Sequence, residues 1–468
     1  MWVSLIFLLY ILLALFIVFT ILLYGAKPSK TLAWLLAIFT IPVGGILLYL
    51  LLGRNRRKNK LLKLKNDFSV KPPIQSHEIL KKVNDEHKKL EQIIYKNCGF
   101  PSTSQNRLES LKNGKKTFEA IFNALNEAEH CIHLQYYIFE EGILSERLFR
   151  LFDAKIKQGV QIRMIYDSVG SFSLSKPYLK RLLTIGVEAY PFLPFKFGHL
   201  LRTVNYRNHR KIIIVDGQVA FTGGINVSDK YLKGDPTLGK WHDMHLKIQG
   251  EAAAHLDYVF ATDWYLVSQK LIEPYPTYKI FNTVDFNSLV QIVYGGPDDD
   301  FSVLEQVYFT MINGAKKYLY ITNPYIIPGQ ALLQALQTAA LGGVDVRLMI
   351  SEKVDSKLVG WCVRSYFGAL LKSGVKIYLF PDGFLHSKII ISDDTISTIG
   401  TANLDDRSLE LNYEVNAIIY DVPFSIMLKN DFLKDSNTSR LLSYQEHLER
   451  PWSEKLKEGF GKVFSPLL

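Results

Sequence analysis

The pattern of apolar positions changes sharply along the 468 residues of this chain. Residues 2–24 form an apolar run without a charge, and residues 31–52 form a second run that contains Pro42, Gly44 and Gly45. Each run is long enough to cross a bilayer as a helix, and proline and glycine are tolerated in such helices. We therefore expect residues 1–56 to form a transmembrane hairpin with spans at about 2–24 and 31–52.

The charges beside these two runs predict how the hairpin is oriented. Cytoplasmic segments next to a membrane span carry an excess of lysine and arginine. Two basic residues, Lys27 and Lys30, separate the runs, whereas seven follow the second run: Arg54, Arg56, Arg57, Lys58, Lys60, Lys63 and Lys65. We therefore expect the chain after the second run to lie in the cytoplasm.

After the hairpin, residues 57–112 form a basic segment and a linker, with a charged helix expected over 76–96. The pattern then becomes an alternation of strands and helices, which predicts an α/β fold. The alternation occurs twice, so we expect two duplicated α/β domains at 113–285 and 286–468. Helices are expected at 118–128, 145–158, 309–316 and 330–341, and strands at 131–139, 160–166, 318–327 and 344–351.

The last stretch, residues 421–468, has a helical spacing of apolar positions and no chemical motif. We expect its aromatic side chains to belong to the core of the second domain. A role at a membrane surface is the alternative. The aromatic positions concerned are Phe424, Phe432, Trp452, Phe460 and Phe464.

Charge and cysteine content narrow the class of partner. The formal net charge of +10 suits an anionic partner, and both phospholipid head groups and nucleic acid qualify. Cys98, Cys131 and Cys362 are widely spaced and form no zinc-binding pattern, so we expect reduced thiols and no metal. Reduced thiols agree with a cytoplasmic catalytic body.

One motif, H-x-K-x4-D, occurs twice, and each copy is followed by an asparagine seventeen residues after its histidine. In a strand, residues two apart point to the same face, about 7 Å apart. Each motif therefore places an imidazole beside an ammonium group. The two sets are His209, Lys211, Asp216 and Asn226, and His386, Lys388, Asp393 and Asn403.

These residue types suit phosphoryl transfer in a single pocket. One neutral histidine can attack phosphorus, and the other, protonated, can give its proton to the leaving alkoxide. The two lysines and the two asparagines, Asn226 and Asn403, would surround the phosphate oxygens and supply a positive field without a metal. Asp216 and Asp393 lie at strand ends beside turns, where a turn-fixing or ion-paired role competes with a catalytic one.

A catalytic imidazole needs a second group, normally an acid, to orient it. One acidic residue follows each motif next to an apolar strand: Asp243 in the first half and Glu414 in the second. We expect Asp243 to orient His209 and Glu414 to orient His386.

The paired motifs, followed by Gly-Gly-Ile-Asn and Gly-Thr-Ala-Asn, resemble those of the phospholipase D superfamily. Three further features make the chain similar to the bacterial cardiolipin synthases within it: the paired apolar runs, the segment 400–408 and the C-terminal Ser-Pro-Leu-Leu. The resemblance implies two phospholipase D-like domains around a central pseudo-twofold active site. It also implies a plasma-membrane enzyme that acts without a cofactor.

The reaction that the resemblance implies converts two phosphatidylglycerol molecules into cardiolipin and glycerol. His209 would attack the first lipid and His386 would protonate the departing glycerol, although the symmetry of the motifs also allows the reverse. Anionic lipids are then the expected partners, and nucleic acid is not. The alternatives are a membrane-anchored phosphodiesterase or nuclease, a phosphatidylserine synthase, and a scaffold without catalytic activity.

Overall fold

A computed structural model describes residues 2–24, 28–49, 68, 70, 83–194, 206–272 and 287–465. The chain divides into two compact units: Met1–Lys63 with Phe195–Asn205, and Leu64–Pro194 with Tyr206–Leu468. The basic cluster that follows the second apolar run, residues 76–82 of the expected linker helix, and residues 195–205 lie outside the described residues.

In the first unit, the apolar runs form three helices: α1 (Trp2–Tyr24), α2 (Pro28–Thr40) and α3 (Pro42–Leu48). The break between α2 and α3 falls at Ile41, directly before Pro42, because proline lacks a backbone N–H and is favoured at the start of a helix. Ile17, Ile38 and Tyr49 pack together. Over the residues described in this unit and the other, no helix combines the length and the apolar character of a membrane span.

The second unit contains two mixed sheets. The strands of its first half are β1 (Asn106–Lys112), β2 (Cys131–Tyr136), β3 (Gln161–Asp167), β4 (Glu188–Phe192), β5 (Arg207–Asn208), β6 (Ile212–Val215), β7 (Val219–Gly223), β8 (Trp241–His242) and β9 (Met244–Gly250). Those of its second half are β10 (Val290–Gly295), β11 (Tyr318–Thr322), β12 (Ile326–Ile327), β13 (Asp345–Ser351), β14 (Lys376–Phe380), β15 (Phe384–Leu385), β16 (Ile389–Ser392), β17 (Ile396–Gly400), β18 (Leu404–Asp405), β19 (Asn412–Ile419) and β20 (Arg440–Leu442).

Helices cover these sheets. Those of the first half are α4 (Lys88–Cys98), α5 (Asn113–Asn126), α6 (Ile143–Lys157), α7 (Lys176–Ile185), α8 (Lys230–Lys233) and α9 (Glu251–Ser268). Those of the second half are α10 (Val303–Gly314), α11 (Gln330–Leu341), α12 (Lys357–Lys372), α13 (Asp406–Glu410), α14 (Val422–Thr438), α15 (Tyr444–Glu449) and α16 (Trp452–Val463).

The two sheets have the same strand order, which supports the expected duplication. The first runs β1-β9-β7-β6-β2-β3-β4, and the second runs β10-β19-β17-β16-β11-β13-β14, with β20 added at its edge. In each sheet the strand after the motif histidine, β6 or β16, pairs antiparallel with the next strand in a tight hairpin. The same scaffold therefore carries each copy of the motif.

Most expected elements lie within a few residues of the observed ones. The helix expected at 309–316 begins earlier, at Val303, and there are three further differences. The strand expected at 318–327 is divided into β11 and β12 around Pro324, which cannot donate to a ladder. In the described part of the linker, the expected helix over 76–96 is replaced by α4, which begins only at Lys88 and ends at Gly99 with a φ of 73°. The first sheet begins with β1, so it starts within the stretch 57–112 that the sequence assigns to the linker.

The two halves share one apolar core. Ile214 and Leu246 from the first sheet pack in the same cluster as Ile399 and Val415 from the second. A second cluster, which includes Phe139 and Phe152, lies under the helices of the first half alone. All three cysteines are buried free thiols. Because the halves share a core, the relative position of their motifs is fixed by packing.

The C-terminal stretch is helical as expected, but its aromatic side chains do not all enter the core. Phe424 and Phe432 on α14 are buried. Trp452 and Phe460 on α16 are exposed, at 76% and 55% of their surface, so the prediction of a core position is wrong for them. Helical spacing shows which residues share a face but not what covers that face.

Candidate active site

Two short parallel ladders connect the halves beside the motif histidines. In the first, β5 pairs with the start of β19, and the His209 N–H donates to the Tyr413 carbonyl at 2.9 Å. In the second, β15 pairs with β8, and the His386 N–H donates to the His242 carbonyl at 2.7 Å. Each histidine is therefore held against the other half of the chain.

This pairing places each histidine next to an acid of the opposite half. His209 Nδ1 lies 2.8 Å from a carboxylate oxygen of Glu414, and His386 Nδ1 lies 2.9 Å from one of Asp243. The expected assignment of Asp243 to His209 and Glu414 to His386 is wrong, because Glu414 follows Tyr413 and Asp243 follows His242 directly in the chain. Both acids orient a histidine, but the pairs are crossed.

The motif lysines are buried beside the histidines. Lys211 donates to the His209 carbonyl at 2.7 Å, and Lys388 donates to the His386 carbonyl. Burial lowers the pKa of Lys211 to about 7 and that of Lys388 to about 8, while the carboxylates of Glu414 and Asp243 oppose this effect. An anionic phosphate bound beside them would therefore stabilise the protonated form of both lysines.

Burial and nearby cations keep both imidazoles neutral. Burial lowers the pKa of His209 well below its ordinary value, and Lys211, Lys388 and Arg407 lower it further. The same causes, burial first and then Lys388, lower the pKa of His386 to about 4. The charge of Lys211 also lowers the pKa of His386, and the charge of Lys388 lowers the pKa of His209. The lysine of each half therefore affects the histidine of the other half.

The carboxylate of Glu414 is supported by hydrogen bonds from the second half. The Thr401 hydroxyl donates to it at 2.5 Å and the Asn412 amide at 3.2 Å. Full burial raises the pKa of Glu414 to about 7. Three side chains, those of His209, Thr401 and Asn412, thus hold the Glu414 carboxyl group in place.

The carboxylate of Asp243 has a different setting. It accepts the Met244 N–H at 2.7 Å, and the Tyr231 hydroxyl lies 3.3 Å from His386 Nδ1. Gly224 occupies the position that corresponds to Thr401, and a Cβ there would lie 2.1 Å from the Asp243 carboxylate. Glycine is therefore required for Asp243 to reach His386.

The motif aspartates lie at the far end of their strands from the histidines. Asp216 follows β6, and about 20 Å of extended chain separates it from His209. Its carboxylate accepts three backbone N–H groups, from residues 129, 130 and 131, at 2.7 to 2.8 Å. Asp393 does the same for residues 316, 317 and 318. These contacts tie the strand ends together, which agrees with the turn-fixing role expected for both aspartates rather than with the catalytic one.

The two asparagines lie in or near the site with different partners. Asn226 is buried, accepts the Ile138 N–H at 3.2 Å and lies 3.4 Å from the Tyr231 hydroxyl. Asn403 is also buried, and its side-chain oxygen has no hydrogen-bond partner among the described residues. Asn226 thus binds the backbone at Ile138, whereas the side-chain oxygen of Asn403 can still accept a hydrogen bond.

Several residues of the site are not evident from the motifs. The Tyr137 ring meets the His209 ring edge-on at 4.9 Å. Arg210, the middle residue of the first motif, donates to Asp263 at 2.5 Å and to the Gly295 carbonyl at 3.0 Å. Thr401 lies in the segment that resembles the family pattern, so its position was visible but its role was not. Across the described ranges, no group of three or more acidic, histidine or cysteine side chains could hold a metal ion.

Comparison with known proteins agrees with this site. Residues 121–264 and 308–436 match the family described as "Cardiolipin synthase, PLD-like domain". Residues 8–54 match the family described as "Phospholipase_D-nuclease N-terminal". Among solved structures, a phosphatidylserine synthase from Haemophilus influenzae aligns with a TM-score of 0.62 at 16% identity, covering 82% of this chain and all of its own, which shows a shared fold.

Curated relatives match over nearly the whole chain. A "Cardiolipin synthase" of Geobacillus kaustophilus is 39% identical over 460 residues, which cover 97% of this chain and 92% of the relative. The "Major cardiolipin synthase ClsA" of Bacillus subtilis is 36% identical over 481 residues, 99% of this chain and 98% of the relative. This chain belongs to the cardiolipin synthase family of phospholipase D-like proteins.

Proposed function

We propose that this protein transfers a phosphatidyl group from one phosphatidylglycerol to another, which gives cardiolipin and glycerol. The observation that carries the proposal is the pair of crossed couples, His209 with Glu414 and His386 with Asp243, inside one electrostatic field. Two imidazoles with Nδ1 held by an acid each present Nε2 to a substrate. One histidine can then serve as the nucleophile and the other as the acid-base group of a two-step transfer.

In the first step, His209 Nε2 attacks the phosphorus of one phosphatidylglycerol. A phosphorus–nitrogen bond forms and the bond from phosphorus to the glycerol head group breaks. His386 gives its Nε2 proton to the departing glycerol oxygen, so glycerol leaves as a neutral alcohol. The phosphatidyl group remains on His209.

In the second step, the head-group hydroxyl of another phosphatidylglycerol gives its proton to His386. Its oxygen attacks phosphorus, the bond to His209 breaks, and cardiolipin leaves. Both histidines return to their starting states, and the two steps together consume two phosphatidylglycerol molecules. The phosphorus–oxygen bonds broken and formed are of the same type, so the reaction is reversible.

The electrostatics favour His209 as the nucleophile. Burial and three cations lower the pKa of His209, and an attacking imidazole must be neutral. At His386, the hydrogen bond and charge of Asp243 oppose the lowering of the pKa by burial and Lys388, which favours the protonated form that a general acid needs. The general acid must carry a proton, and an anionic phosphate beside His386 raises the pKa of that imidazole when the lipid binds. Lys211 and Lys388 would then neutralise the charge that develops on the phosphate oxygens.

The expected membrane hairpin belongs to this proposal. Residues 2–24 and 31–52 would anchor the enzyme in the plasma membrane of a bacterium, with the catalytic domains in the cytoplasm. The seven basic residues after the second run and the family match over residues 8–54 support this placement. An anchored enzyme would keep its site within reach of lipid head groups.

The test is a product analysis with the purified full-length protein and phosphatidylglycerol labelled in its head group and in its acyl chains. We expect labelled cardiolipin and free glycerol in equal amounts, and neither with His209→Ala. Phosphatidic acid as the main lipid product would show a hydrolase instead. Phosphatidylserine formed on addition of serine would show a different acceptor.

A further inference from the structure

The C-terminal helix α16 has one face fixed on the body of the protein. Glu458 is buried and accepts hydrogen bonds from the Arg450 guanidinium, the shortest at 2.7 Å. Gly461 is also buried, and a Cβ there would lie 2.7 Å from the backbone nitrogen of Cys362 on α12. This close approach locks the rotation of α16 about its own axis.

The opposite face of α16 is apolar and open to solvent. Trp452, Leu456, Phe460 and Val463 are exposed over 76%, 65%, 55% and 74% of their surface. At about 100° per residue these four side chains fall within one stripe about 80° wide. Exposed apolar stripes of this kind mark contact surfaces in soluble domains.

Lysines border this stripe on both sides. By the same helical spacing, Lys455 lies along one edge and Lys457 along the other, whereas the Lys462 ammonium packs 5.2 Å from the centroid of the Tyr366 ring on α12. The acids of the helix lie toward the docked face, where Glu454 pairs with Lys457 at 2.7 Å and Glu458 pairs with Arg450. An apolar stripe edged by cations is the pattern of a helix that lies in the plane of an anionic membrane surface.

We propose that α16 is a membrane-contact helix that rests on the anionic bilayer surface, with its apolar stripe among the upper acyl chains and its lysines on lipid phosphates. The proposal rests on the proposed function, which supplies the anionic lipid. It adds a second contact with the bilayer at the opposite end of the chain from the expected hairpin.

The charges argue against a second copy of this chain as the occupant of the stripe. Two such stripes face to face would bring lysine edges together, which is unfavourable. Four side chains also offer far less area than the roughly 1,200 Å² of a stable protein interface. A lipid surface needs neither complementary acids nor a large contact.

The test uses a fluorescent label that reports a change from water to lipid. Because Cys98, Cys131 and Cys362 are buried, a thiol introduced by Leu456→Cys can be labelled selectively with an environment-sensitive dye. The full-length protein is reconstituted in vesicles of phosphatidylcholine alone or with phosphatidylglycerol. The matched control is Leu341→Cys at the end of α11, whose side chain is 74% exposed on another helix.

We expect the label at position 456 to shift to shorter wavelength with phosphatidylglycerol vesicles, and the control label at 341 to stay unchanged. Replacing Lys455 and Lys457 with glutamine should reduce the shift, as should added salt. The proposal is overturned if position 456 does not shift, if both positions shift equally, or if neutral vesicles give the same shift. A shift that appears in detergent and grows with protein concentration would show self-association and would also overturn it.

Failure of this proposal is distinguishable from failure of the proposed function. Cardiolipin formation is measured on the same reconstituted samples. A shift without cardiolipin would leave the membrane contact standing and reject the synthase activity. Cardiolipin without a shift would do the reverse.

Discussion

The two halves of the body share a strand order and a motif, yet they hold their histidines differently. His209 is paired with Glu414, whose carboxylate is supported by Thr401 and Asn412. His386 is paired with Asp243, which fits only because Gly224 leaves room. A duplicated scaffold thus carries two couples that differ in acid, in support and in the electrostatic setting of the imidazole.

Neither half is an active site by itself. Each half provides a histidine and a lysine from its own motif and takes its acid from the other half. A symmetric scaffold in this way supports asymmetric roles, with a nucleophile on one side and an acid-base group on the other.

Removal of either histidine should cost the most. His209→Ala and His386→Ala should each reduce cardiolipin formation by at least about 10² to 10⁴-fold, because each removes a group that transfers phosphorus or a proton. His130→Gln, an exposed position on the surface, is the matched control and should keep the parental rate. Parental activity in either alanine variant would reject the two-histidine site.

The two acids should differ in the step that they affect. A phosphatidyl ester of p-nitrophenol needs no proton for its leaving group, so its first step depends on the His209 couple alone. Glu414→Gln should slow the burst of nitrophenolate by about 10- to 100-fold, the range found when a group that orients a metal-binding histidine is replaced. Asp243→Asn should keep the burst and slow only the turnover that follows. Equal effects on the burst would remove the distinction between the couples.

The supports of the acids should matter next. In Gly224→Ala the new methyl group would displace the Asp243 carboxylate, so turnover should fall nearly as far as in Asp243→Asn. Thr401→Ala removes one hydrogen bond to a charged group, worth about 1.5 to 3 kcal/mol, and should slow the burst instead. Gly314→Ala, where a Cβ meets no atom within 4 Å, is the control. Rates for Gly224→Ala that match this control would show that Asp243 has more room than we describe.

Protonation of His386 at acidic pH should destabilise the fold. The pKa of His386 is lowered from 6.5 to about 4, so between these values the unfolded chain binds a proton that the folded chain does not. Its contribution to stability is therefore present above about pH 6.5 and is lost as the pH falls toward 4. Thermal unfolding across this range should show a smaller pH slope for His386→Gln than for the parent protein. An unchanged slope would contradict the buried neutral state.

The motif aspartates should have the smallest effect on chemistry. Asp216→Ala and Asp393→Ala each remove hydrogen bonds from a carboxylate to three backbone N–H groups, so stability should fall by about 1 to 3 kcal/mol. The rate per folded molecule should stay at the parental level, because the hydrogen bonds of both side chains go to strand ends and not to His209 or His386. If activity falls by more than the folded fraction does, the aspartates have a catalytic role.

Sequence patterns predicted the scaffold well, because strand and helix periods are local properties. The duplication, the paired motifs and both orienting acids follow from spacing along the chain. The crossing of the acids does not, because it depends on β5 with β19 and β8 with β15, which are two-residue ladders between segments about 200 and 140 residues apart. Likewise, spacing placed Trp452 and Phe460 on one face of a helix, but only tertiary packing shows that this face is open.

The assignment of His209 as the nucleophile is tested by combining His386→Ala with the p-nitrophenol ester, labelled in its phosphatidyl group. Without His386 the second step is blocked, whereas the first step needs no proton. We predict one nitrophenolate per active site and a stable label on the peptide that carries His209. The absence of a burst with His386→Ala, together with a burst and a labelled His386 peptide in His209→Ala, would contradict the assignment.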